Sequence, residues 1–141
     1  MDFTQIARQI KSVIENNNGC TIKTTPKKGA GFVPYNRFNI KWGQVDVCPK
    51  RVRVVLDIYP SRYTIIELEK DLSLPAKNKG DGKTGMFIKP TEKDVPHFDA
   101  LEISLYQDYC ESFNLQQFEK LLDFIGKVAA ESSFKSRSTS R

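Results

Sequence analysis

Between Asp2 and Asn17 the apolar residues Phe3, Ile6, Ala7, Ile10, Val13 and Ile14 recur at spacings of three, four and seven, which is one stripe of a helix. Asp2 is placed to cap the first turn, and Asn16-Asn17-Asn18-Gly19 supplies residues that tolerate left-handed backbone where the helix must stop. The spacing therefore predicts a core-packing helix over 2–17. Residues 21–35 carry Pro26, Gly29, Gly31, Pro34 and the pair Lys27-Lys28, and read as a loop. From there the period changes to two. Phe38, Ile40 and Trp42 alternate with Arg37, Asn39 and Lys41, the pattern of a half-buried strand that sends Phe38 and Trp42 into a core. Gly43-Gln44 is spaced as a two-residue hairpin turn, Val45 and Val47 continue, and Cys48-Pro49-Lys50 makes the next turn. Val52, Val54, Leu56 and Ile58 then face one way, while Arg51, Arg53, Val55, Asp57 and Tyr59 face the other.

Pro60 ends this β-meander, which spans 37–59. Thr64 and Glu67 stand at capping-box spacing ahead of Ile65, Leu68 and Leu72, predicting a short helix near 65–72. A glycine- and lysine-rich stretch over 75–85 reads as a loop. Strands are predicted near 86–89 and 100–106, the second from the alternation of Leu101, Ile103 and Leu105 with Glu102, Ser104 and Tyr106. In the closing helix Asn114 caps, Gln117 stands at the third position, Phe113 and Phe118 are spaced as a hydrophobic staple, and Leu121, Leu122, Ile125 and Val128 continue the apolar face. After Glu131 the periodicity is lost, and 132–141 reads as a disordered basic tail. The expected architecture is a single α+β domain over 1–131: an antiparallel sheet with N- and C-terminal helices packed on one face.

Composition adds bounds. A chain of 141 residues buries roughly two thirds of its unfolded surface, enough for a core. With 39% hydrophobic and 28% charged residues it reads as globular. Its apolar runs are too short to span a bilayer, and the start Met-Asp-Phe-Thr resembles no secretory leader, so a cytoplasmic protein without a membrane partner is expected. Cys20, Cys48 and Cys110 are odd in number and far apart, as fits free thiols rather than a disulfide frame or a zinc site.

Charge changes the picture more. Residues 1–56 hold ten Lys/Arg against three Asp/Glu, whereas 57–131 hold nine against fourteen. Such segregation points to a basic face and its partner. Arg37, Lys41, Arg51 and Arg53 occupy the polar positions of the meander strands, with Lys27 and Lys28 beside them. Cations on one sheet face neutralise backbone phosphates, and exposed aromatics stack on bases, a role that falls here to Tyr35, Tyr59 or Phe32. A solvated face whose cations pair with the acidic second half is the plain structural alternative.

Catalytic patterns fail on context. Gly80-Asp81-Gly82-Lys83-Thr84 ends like a phosphate-binding loop, but Lys77 stands where the pattern needs glycine, and a strand follows where a helix must open. Asp46, Asp57, Glu67, Glu69 and Glu102 are candidate metal ligands of a nuclease, yet Asp-x-Lys occurs only at Asp81–Lys83 within the glycine loop. His97, the single histidine, has Asp99 nearby and no further catalytic company. No catalytic residue, metal site or cofactor is expected.

From Phe32 to Val128 the order of elements resembles a family of small uncharacterised bacterial domains attached to restriction-type nucleases: strands over Phe38–Ile58, a glycine-containing loop, a strand at Leu101–Leu105, and a helix with Phe118-x-x-Leu121-Leu122. That resemblance implies a part in DNA-directed defence and assigns no site. The expectation is a non-catalytic domain that binds DNA or RNA through Lys27, Lys28, Arg37, Lys41, Arg51 and Arg53. The alternative is a protein-interaction module or inhibitor subunit, steered to its partner by the charge asymmetry. The oligomeric state is left open.

Overall fold

The computed structural model describes residues 2–16, 21–24, 31–59, 62–74, 85–89 and 98–131, with side chains described up to Asp123 except that of Thr24. Helix α1 runs over Phe3–Glu15 and strands β1–β4 over Thr21–Thr24, Phe32–Tyr35, Gly43–Val47 and Arg51–Ile58. Helix α2 covers Ile65–Leu72, strands β5 and β6 cover Met86–Lys89 and Asp99–Tyr106, and helices α3 and α4 cover Gln107–Cys110 and Leu115–Glu131. All six strands form one antiparallel sheet in the order β1-β2-β3-β4-β6-β5, giving the α+β class that the alternation predicted.

Register explains how the sheet holds. Phe32, Val45, Val54, Ile103 and Met86 face one another across five strands, and Leu56, Leu101 and Ile88 form a parallel row beside them. Because side chains alternate along a strand, both rows lie on one face. Ile6, Ile10 and Ile14 of α1, Leu68 and Leu72 of α2, and Phe118 and Leu122 of α4 join those strand residues in a single hydrophobic cluster. Each such large side chain taken fully out of water contributes about 1.5–3 kcal/mol.

The helix caps follow the sequence signals. Asp2 and Gln5 form a reciprocal capping box on α1. The Thr64 side chain accepts from the Glu67 amide, and Asn114 Oδ1 accepts from the Gln117 amide at 3.0 Å. The rings of Phe113 and Phe118 meet at 5.4 Å.

The start of the meander differs from the expected one. Part of the segment read as a loop is strand, with β1 and β2 flanking residues 25–30, which lie outside the described residues. The turn sits at 36–40 rather than at Gly43-Gln44. Asn36 Oδ1 accepts from the amides of Phe38 and Ile40 at 2.9 and 3.0 Å, and Asn39 takes a left-handed φ of 59°. One asparagine side chain thus substitutes for a strand partner and folds the chain back, as its short amide favours. Arg37, Phe38 and Asn39 therefore occupy a turn tip, and Phe38 is 46% exposed instead of buried. Trp42 does reach the core. It gets there through a bulge: Phe32 faces Val45 and Tyr35 faces Lys41, so three steps along β2 span four along the returning chain.

Gly43 has a different use from the one expected. A Cβ on it would stand 2.7 Å from the carbonyl oxygen of Val55 and 3.2 Å from Pro34 Cγ, so the residue serves close approach and not a turn. Gly43→Ala is expected to lower stability by about 1–3 kcal/mol, because backbone must move. The denaturant midpoint measures this, with an unchanged m-value showing that the unfolded state is not the cause.

Candidate nucleic-acid interface

The face of the sheet opposite the cluster carries the polar residues of the alternation: Gln44 and Asp46 on β3, Arg51 and Arg53 on β4, Glu102 and Ser104 on β6. Arg53 faces Asp46 on one side and Ser104 on the other. Its guanidinium leans one step along β6: Nε donates to Glu102 Oε1 at 2.6 Å, while Nη1 stands 3.4 Å from Asp46 Oδ2. One cation thereby ties three strands together. Gln44 Nε2 donates to both oxygens of Asp46 at 2.9 and 3.0 Å, and Lys41 Nζ donates to Gln44 Oε1 at 2.8 Å. Arg51 Nη1 donates to Ser104 Oγ at 2.6 Å. Asp46 is 3% exposed, so its carboxylate depends on these donors for the solvation it gives up.

The expected basic face is thus a ladder of mixed sign. Arg53 is neutralised by two carboxylates, Arg51 donates to the neutral Ser104 hydroxyl, and Lys41, at the corner end of the face, donates to the neutral Gln44 amide. Lys41, Arg51 and Arg53 share the face, Arg37 stands apart in the turn, and Lys27 and Lys28 lie outside the described residues. The Arg53–Glu102 pair is an instance of the structural alternative, a sheet-face cation meeting a carboxylate of the acidic second half. The signal of the carboxylates that hold Arg53 was present in the strand pattern, since Asp46 alternates with Val45 and Val47 and Glu102 with Leu101 and Ile103.

A second group of cations stands at the β1–β2 corner. Lys23 Nζ lies 4.0 Å from the centre of the Tyr35 ring, and the Arg37 guanidinium carbon lies 4.8 Å from that of Phe38. Tyr35 bridges to Lys41 across the turn that carries Arg37 and Phe38. Lys23, Arg37 and Phe38 are exposed and Tyr35 half-buried. Of the other expected stacking residues, Phe32 is fully buried, whereas Tyr59 is partly exposed near Arg62 and packs at 5.4 Å on Phe98.

The remaining chemistry is sparse. Among the described residues no three His, Cys, Asp or Glu side chains converge as metal ligands. His97 and residues 75–84 lie outside the described residues. Cys48 and Cys110 are free thiols, and no helix among the described residues is long and apolar enough to cross a membrane. Cys110 lines a cavity of about 380 Å³ between α1 and the start of α4, where burial pushes its thiol above the ordinary value. Burial also pushes the Tyr63 phenol up, against an opposing pull from Arg62.

No family model matches the chain, and no curated protein or solved structure is significantly similar to it. The site therefore rests on the geometry alone.

Two predictions follow from these groups. Arg53→Met is expected to cost about 1–3 kcal/mol, because the buried Asp46 carboxylate loses its cation while the aliphatic packing is kept. An Arg53/Glu102 double-mutant cycle should return a coupling of about 0.5–1.5 kcal/mol by denaturant unfolding; no coupling would mean that the contact is decorative. Cys110 and Tyr63 contribute to stability on the alkaline side. Both are raised in the folded chain, so the unfolded chain gives up these protons first. Their contribution is complete below the unfolded values and is lost as pH rises through the thiol and phenol range. The urea midpoint should fall on going from neutral to strongly alkaline pH, and fall less steeply in Cys110→Ala and in Tyr63→Phe.

Proposed function

We propose that this domain binds single-stranded nucleic acid at the corner formed by Lys23, Tyr35, Arg37, Phe38 and Lys41, without catalysing a reaction. The observation that carries this reading is the pair of cation–aromatic contacts, Lys23 on Tyr35 and Arg37 on Phe38, at one end of β2. Exposed rings offer a face to unstacked bases, and adjoining cations meet the phosphates between them. The Arg53 ladder supports this location by contrast, since its cation is already matched and its carboxylates would repel a phosphate chain.

This reading moves the contact from the centre of the sheet to its corner while keeping Arg37 and Lys41 from the expected set. Lys23 joins them because β1 pairs antiparallel with β2, placing it beside Tyr35. Phosphate neutralisation carries no sequence information, so binding should be indifferent to base order.

Fluorescence anisotropy with labelled oligo-dT and a mixed-sequence strand, repeated across a salt series, tests it. Three phosphate contacts on a single strand predict a log–log slope of about −2. Arg37→Glu should weaken every strand alike by tenfold or more at low salt. Phe38→Ala should cost about 1–3 kcal/mol through lost stacking, and Arg51→Gln should leave affinity within twofold. Absence of binding at low salt, or binding indifferent to Arg37 and Phe38, would refute the reading and favour the protein-interaction alternative.

A further inference from the structure

Among the described residues, strand β5 closes the other edge of the sheet from β1 and pairs with β6 alone. The Ser104 amide donates to the Gly85 carbonyl at 2.8 Å, which makes Gly85–Ser104 a hydrogen-bonded pair. Alternation along the antiparallel ladder makes Phe87–Glu102 and Lys89–Ala100 bonded pairs as well. The peptide groups of Met86 and Ile88 consequently point away from β6, and no strand among the described residues takes them up. Phe87 is 40% exposed on the face opposite the cluster, an unusual position for a phenylalanine on an open edge.

We propose that this edge pairs with the same edge of a second copy of the chain, β5 against β5 across a two-fold axis beside Phe87. A self-complementary register follows from this geometry. Setting Phe87 opposite its counterpart places Met86 of each copy opposite Ile88 of the other. The outward peptide groups of both residues are then satisfied in both copies, giving four new backbone hydrogen bonds. Phe87 falls at a position where paired side chains approach most closely, so the two exposed rings cover each other. Met86 and Ile88 extend the apolar face of one sheet into that of the next.

The charges fit the same register. Lys89 of each copy lies opposite Gly85 of the other, where no side chain opposes it, and diagonal to the other copy's Phe87, whose ring attracts a cation. The two Lys89 side chains are kept about 14 Å apart along the strands, beyond the screening distance at physiological salt. A register slipped by one pairing step, with Ile88 opposite itself, would set Met86 against Pro90, which has no amide to donate. A foreign extended segment would gain the backbone bonds but not the paired phenylalanines, so a second copy is the occupant that the side chains favour. This interface is at the opposite edge from the proposed nucleic-acid corner and does not depend on it.

Four residues form a small interface, so a concentration-dependent dimer is expected, with a dissociation constant on the order of 10 µM to 1 mM. Sedimentation equilibrium of the full chain over that range should show the mass rising above 16.1 kDa. Phe87→Lys should abolish association, because two like charges would face each other across the axis, while leaving the circular-dichroism melt nearly unchanged, because Phe87 is 40% exposed and lies beside Glu102. With Cys20, Cys48 and Cys110 replaced by alanine, Phe87→Cys under mild oxidation should give a reducible dimer that the cysteine-free parent does not, since the two sulfur-bearing positions would lie within disulfide reach across the axis. Lys89→Cys, which faces glycine, should not. A chain that stays monomeric to 1 mM and gives no Phe87→Cys cross-link would overturn the proposal. So would a dimer that survives Phe87→Lys and cross-links no better through Phe87→Cys than through Lys89→Cys, since its interface would then lie elsewhere.

Discussion

Arg53 stands at the centre of the sheet with a carboxylate on either side, and much of the polar face is organised around it. β4 is paired along all eight residues to β6 and along five to β3, so its side chains have the least freedom to reorient. On one face it presents Val52, Val54, Leu56 and Ile58 to the hydrophobic cluster. On the other, a long cationic side chain covers Asp46 and binds Glu102, tying β3 and β6 to β4 by side chains as well as by backbone. A buried carboxylate is costly without a partner, and the cation that satisfies it is thereby withdrawn from any external anion. The central cation of this sheet face is therefore not available to an external anion.

What the sequence made legible follows from periodicity. The stripe in α1, the alternation in β4 and β6 and the caps at Asp2, Thr64 and Asn114 were readable because each is a local pattern with one physical meaning. The β1–β2 hairpin was not. β1 is four residues of mixed polarity, and β2 contains Pro34, so neither shows an alternation long enough to stand against Pro26, Gly29 and Gly31 between them. They are strands because they pair with each other and because Phe32 completes a row across five strands, which is tertiary information. The turn at 36–40 was hidden for a related reason: Phe38 and Ile40 continue the alternation of Trp42, and only the Asn36 side chain breaks it.

The candidate site was half legible. Polar parity places Arg51 and Arg53 on one face of β4, but parity does not fix register, and register is what sets Asp46 and Glu102 against Arg53. The charge asymmetry of the chain is thus partly consumed within the fold, a cation of the basic half meeting a carboxylate of the acidic half. Lys23 and Arg37 at the corner escape that pairing and lie on aromatic rings instead. The far edge has the opposite character, with apolar Met86, Phe87 and Ile88 and one lysine. On the two proposals above, the edges of one sheet take different contacts, one polyanionic and one strand-like.

If the proposed corner is the nucleic-acid site, the ladder is closed to external phosphate while the corner is open. Titration of isotopically labelled protein with oligo-dT, followed by two-dimensional amide NMR, examines both regions in one experiment. The account predicts progressive shifts confined to the amides of Lys23, Tyr35, Arg37, Phe38, Lys41 and their immediate neighbours, with Arg51, Arg53 and Glu102 unmoved. Shifts centred on β4 and β6, or none at any position, would contradict it.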